Sequence, residues 1–185
     1  LANAIEAHGQ REKFILYRGV ADFDAKFQVS SSGDKLTLHN QSASPVSAAF
    51  LLVNDGQSGS IKKLGAVKEK LDAQALDARQ GLPFGEFIVQ AKKTVAEQLV
   101  LEGLSADESR ALVDTWEKSY FRAPGLRVLY IVPRIETERI LPLTVAPAPS
   151  ELVRVLIGRV EVLTENQEQL ALQELKQEIL ARGTL

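Results

Sequence analysis

The sequence predicts an α+β fold: an N-terminal antiparallel β-sandwich, immunoglobulin-like in pattern, over residues 12–78, then an α+β unit over 82–185 with a helical hairpin, a β-hairpin and C-terminal helices. Three observations predict it. Before Asp77 apolar and polar residues alternate in short runs; from Leu82 the apolar period lengthens to that of a helix; and 126–132 is an almost unbroken apolar run rich in β-branched residues.

Taken in order, residues 1–11 are small and polar, a lead-in without a long apolar face. Strand candidates follow at 14–17, 25–29, 36–39, 46–53, 60–67 and 70–76, separated by turn chemistry at Ser31-Ser32-Gly33-Asp34, 40–45 and Asn54-Asp55-Gly56. Phe27 and Val29, Leu36 and Leu38, and Val46, Ala48, Phe50 and Leu52 fall on single strand faces, and the spacing of about 8 to 12 residues suits a sandwich. The immunoglobulin pattern lacks its Cys-Trp-Cys core, since the chain has no cysteine.

From Leu82 the pattern is helical. Phe84, Phe87, Ile88, Ala91, Val95 and Leu99 form one stripe ending near Gly103, and Ser105 with Glu108 offers a capping box for a second helix that runs to Pro124-Gly125. The two helices form a hairpin covering the sheet of the central stretch. Pro133 ends the buried strand at 126–132, and 139–145 is the second strand of a hairpin, held to an edge by Pro142. After the loop at 146–150, Ser150 caps a helix over 151–163 with Leu152, Val155, Leu156, Val160 and Leu163 on one face, although its β-branched content favours a strand. A last helix, capped by Thr164, spans 164–182. The boundary between the two modules falls at 77–83.

With 185 residues, 45% of them hydrophobic, the chain can bury a real core. A net charge of −2 and no aromatic-studded basic stripe argue against nucleic acid as a partner, and no apolar run approaches the roughly 20 residues of a bilayer span. The absence of cysteine excludes disulfides and thiolate metal sites. His8 and His39 show no metal-ligand spacing, and no cofactor is expected. Starting at Leu1 and free of methionine, the chain reads as a fragment or processed form.

Motifs for chemistry are incomplete. Residues 56–62 lack the Gly-Lys-Ser/Thr ending of a phosphate loop and read as a hairpin turn, and no Gly-x-Ser-x-Gly elbow supports acyl transfer. Asn40-Gln41-Ser42 matches a glycosylation acceptor. Asp114-Thr115-Trp116-Glu117 is the most enzyme-like cluster, because a carboxylate beside a large aromatic can have a raised pKa and serve as a general acid; the same spacing is also that of an ordinary amphipathic helix. Every cation from Arg122 to Arg159 is an arginine. These read as core-locking partners of Glu136, Glu138, Glu151 and Glu161, with Arg154 and Arg159 expected to lose stability on replacement by lysine. The alternative is an anion-binding patch of Arg134, Arg139, Arg154 and Arg159.

The blocks VDTWEKSYFRAPGLRVLYIV and VRVLIGRVEVLT, with FILYRGV upstream, resemble those of an uncharacterised family of bacterial exported proteins over roughly 14–164. The resemblance implies an extracytoplasmic setting, periplasmic or secreted, and further chain on either side; it carries no activity. Two functions are therefore expected in competition. One is a non-enzymatic binding or scaffolding module whose partner is a protein or the remainder of the chain. The other is a hydrolase-type fragment whose remaining site residues lie elsewhere.

Overall fold

The computed structural model describes residues 5–7, 9–12, 23–163 and 165–182. The strand expected at 14–17, the FILYRGV block, His8 and the Thr164 cap lie outside the described residues. Strands β1 (Ile5–Ala7) and β2 (Gln10–Glu12) form a short antiparallel pair. Then come β3 (Phe27–Ser32), β4 (Lys35–Asn40), β5 (Val46–Asn54), β6 (Ser58–Val67), β7 (Lys70–Gln74) and β8 (Leu82–Pro83). Helix α1 (Phe84–Leu101) and helix α2 (Ala106–Trp116), which runs into a π-helical turn at Glu117–Phe121, precede β9 (Gly125–Val132). Helix α3 (Arg134–Ile140), β10 (Leu156–Val162) and α4 (Glu165–Arg182) complete the chain. The larger sheets have the orders β3-β4-β7 and β10-β9-β5-β6-β8, and all their pairings are antiparallel.

The five-stranded sheet is the middle of three layers. In β5, Ala48, Phe50 and Leu52 face one way, where they join Phe87, Ile88, Val95 and Leu99 of α1 and Leu112 and Val113 of α2. Val46, Ala49 and Leu51 face the other way, against Phe27, Leu36 and Leu38 of the three-stranded sheet. Strand β9 does the same, with Leu129 and Ile131 on the helix side and Val128 and Tyr130 on the sheet side. Covering on both faces is why β9 reads as a continuous apolar run. Strand β5, expected to carry Val46, Ala48, Phe50 and Leu52 on one face, is covered on both as well, and the register shift between Val46 and Ala49 puts Val46 on the sheet side. Burying each such side chain is worth about 1.5–3 kcal/mol, so β5 and β9 are the energetic centre of the fold.

Local chemistry sets the helices. Ser105 and Glu108 form the capping box, with Glu108 N donating to Ser105 Oγ at 3.2 Å and Ser105 N to Glu108 Oε2 at 2.7 Å. Gly103, at φ 102°, turns the chain out of α1 in a conformation that side chains disfavour. Helix α4 leaves Leu172, Leu175 and Ile179 exposed.

Two expectations need correction. The segment 139–145 is no strand: α3 occupies 134–140, and Pro133 starts that helix instead of only ending β9, because its fixed φ suits a helix N-terminus. Pairs Arg134 to Glu138 and Arg139 to Glu136, at helical spacing, support α3. The strand partner of β9 is therefore not 139–145 but β10, through seven consecutive residue pairs from Leu156↔Val132 to Val162↔Leu126. That also overturns the helix at 151–163, where the β-branched residues win. Strands β5 and β6 come from before residues 77–83 and β9 and β10 from after them, and β5 pairs with β9 over six residues from Ala49↔Tyr130 to Asn54↔Gly125. The segments 12–78 and 82–185 are thus joined in one sheet.

Candidate functional site

Of the four arginines expected to form an anion patch, the fold brings two together. Val132 ends β9 opposite Leu156 of β10, so Arg134, just past Pro133, lies beside Arg154, just before β10. They line a shallow cleft of about 140 Å³ with an apolar wall of Ile131, Val132, Val153 and Val155 and with Glu102 from the end of α1. Arg134 Nη1 donates to Leu152 O at 3.1 Å and its Nε to Glu138 Oε1 at 2.8 Å. Arg154 Nη2 donates to Leu141 O at 2.6 Å. Glu102 Oε1 accepts from Ser47 Oγ and Gln98 Nε2, each at 2.6 Å. The two guanidiniums fasten the irregular segment between α3 and β10 to α3 and its C-terminal end, and a carboxylate sits beside them.

The other two lie apart. Arg139 is exposed and donates to Glu136 Oε2 at 2.9 Å. Arg159 stands on the helix side of β10, where its Nη1 donates to Ser119 O at 2.6 Å, its Nε pairs with Glu161, and its guanidinium lies 5.3 Å from the centroid of Tyr120. Tyr120 stacks in turn on Trp116 at 5.1 Å, four residues before it along the helical surface.

The cation that matters most to packing is Arg127, at 1% exposure. Its Nη1 donates to Tyr120 O at 2.7 Å, its Nη2 to Pro124 O at 2.8 Å, and its Nε to Glu161 Oε2 at 3.3 Å, which fixes the carbonyls that leave the π-helical turn. Burial pushes its guanidinium below the ordinary value and Glu161 opposes the shift. The sequence did carry a signal for it, as the one charge inside the apolar run that was read as a buried strand. Asn54 serves the same junction: its Nδ2 donates to Phe121 O at 3.0 Å and to Ala123 O at 2.8 Å.

In the acidic cluster at the end of α2, both carboxylates are paired with cations. Lys92 of α1 contacts Asp114 Oδ1 at 2.6 Å and Glu117 Oε2 at 2.5 Å, and Arg122 Nε donates to Glu117 Oε1 at 2.7 Å. The Lys92 hydrogen bond, then that of Arg122, hold the Glu117 carboxyl below its ordinary value, the reverse of the raised pKa a proton donor needs. The remaining motifs resolve locally. Asn40 is buried, with Nδ2 bound to the carbonyls of Ser44, Val67 and Lys68, so its amide is occupied where the acceptor motif would require it free. Asp55 Oδ1 accepts from the amides of Gln57 and Ser58, closing the expected hairpin turn between β5 and β6.

Among the described residues no group of three or more His, Asp or Glu side chains is arranged to hold a metal, and no helix is long and apolar enough to cross a membrane. Comparison with protein-family models, curated proteins and solved structures finds no match.

Proposed function

We propose that this chain is a non-enzymatic binding or scaffolding module of an exported bacterial protein, with a protein partner or the remainder of a longer chain as its target. The observation that carries the reading is that the polar groups offered by the sequence as a site are already engaged in holding the fold. Arg134, Arg154 and Arg159 donate to the backbone carbonyls of Leu152, Leu141 and Ser119. The cleft beside the first two, about 140 Å³, is small next to the roughly 300–1,000 Å³ of small-molecule sites. The two antiparallel sheets, packed on each other through Phe27, Leu36, Leu38, Val46 and Leu51, offer surfaces for contact with a partner. The exported setting rests on the resemblance of the sequence blocks at 113–132 and 153–164.

The rival reading is a hydrolase-type fragment in which Asp114 or Glu117 acts on substrate. Purified chain and its Glu117→Gln variant, assayed with ester, peptide and glycoside substrates, separate the two. The module gives no turnover that depends on Glu117. Hydrolysis that disappears in Glu117→Gln would replace this reading with the enzyme.

A further inference from the structure

The five-stranded sheet has two unlike edges. At one, β8 is only two residues long and ends in Pro83, which blunts it against further pairing. At the other, β10 runs for seven residues without proline and without a register shift against β9. Among the described residues no backbone hydrogen bond reaches its outer side. Strand β3 passes near one end of β10 without pairing with it, and Ser31 Oγ donates to Leu163 O, just past that end, at 3.3 Å. Strand β7, an edge of the smaller sheet, is shorter, and its Asp72 is already held by Thr37 and Lys35.

We propose that β10 pairs antiparallel with β10 of a second copy of this chain, about a two-fold axis at Val160, so that the two five-stranded sheets become one continuous sheet. Charge complementarity selects this occupant. Arg159 and Glu161 project from the same, helix-covered side of the strand, two positions apart. A two-fold axis through Val160 sets each Arg159 opposite the other copy's Glu161, twice in one interface, and cross-strand opposite charges are stabilising where like charges are not. On the other face Val160 meets Val160, and Gly158 meets Val162. Any antiparallel register centred on a residue matches outward-facing backbone groups with outward-facing ones, so the ladder closes at this axis. The interface is isologous and therefore stops at two copies. This goes beyond the module reading and does not depend on it, since an enzyme could pair the same way.

The test joins light scattering with a cross-link. The cysteine-free chain allows a single Val160→Cys variant to report the axis, with Val89→Cys on the exposed side of α1 as control. At concentrations up to about 1 mM, suited to a small edge interface, the wild type should approach twice its 20.3 kDa mass. Arg159→Glu, which sets carboxylates against each other, should weaken dimerisation by about tenfold or more, while Arg159→Lys stays near wild type. Oxidation should cross-link the Val160→Cys variant and leave the Val89→Cys control as single chains. Leu175→Asp on α4 should leave the dimer intact. A monomeric wild type together with no cross-link in Val160→Cys overturns the proposal, as does a dimer lost in Leu175→Asp but kept in Arg159→Glu. Either result leaves the module reading standing, because that reading is decided by turnover.

Discussion

Arg127 and the surface arginines are the same residue type and differ in energetics. Arg127 is almost fully buried and supplies three donors to Tyr120 O, Pro124 O and Glu161, whereas Arg154 and Arg159 sit near solvent. A lysine at 127 offers a single point-like ammonium and leaves at least one buried carbonyl without a donor, so Arg127→Lys should cost on the order of 2 kcal/mol or more. Arg154→Lys and Arg159→Lys should cost about 1 kcal/mol or less, as exposed pairs do. Urea unfolding of the three variants checks the ranking, and equal losses at all three positions would contradict it. This reverses the weight that the sequence placed on Arg154 and Arg159. Burial is decided by which strand pairs with which, and arginine content says nothing about that. What was legible was the class of interaction: Glu136, Glu138 and Glu161 do pair with arginines.

At the scale of elements, β10 is the instructive case. Val155, Leu156, Val160 and Leu163 satisfy a helical stripe as well as a strand, and the sequence alone does not reveal the vacant side of β9 that settles the matter. Gly158 marks the strand in retrospect. A Cβ there would stand 2.2 Å from the ring of Tyr130, its partner on β9, which itself stacks on Phe27 at 4.0 Å. Gly158→Ala should therefore cost about 1–3 kcal/mol by overpacking, read as a lower thermal midpoint, and Tyr130→Leu should relieve part of the clash. A Gly158→Ala protein as stable as wild type would show that β10 does not lie over Tyr130. Helices α1 and α2 were legible because period, capping box and Gly103 agree. Helix α3 was not, because a proline that ends one element can equally begin the next.

For the whole molecule, the central claim is that one sheet, covered by a second sheet on one face and helices on the other, unites the two halves of the sequence. The change from strands to helices near residue 77 is real, yet β5 and β9 pair across it, with Leu51 opposite Val128 and Leu52 opposite Arg127. Such pairing between distant segments leaves no local trace in composition or period, so the shared sheet was not legible in the sequence. Among the described residues, the unpaired edge of β10 is a property of this same order of strands. Native-state hydrogen exchange in rising denaturant addresses the claim directly. The hydrogen-bonded amides of β5, β6, β9 and β10 should converge on one opening reaction with a common free energy and denaturant dependence. If those of β9 and β10 open well before those of β5 and β6, the two halves unfold separately and the single sheet is wrong.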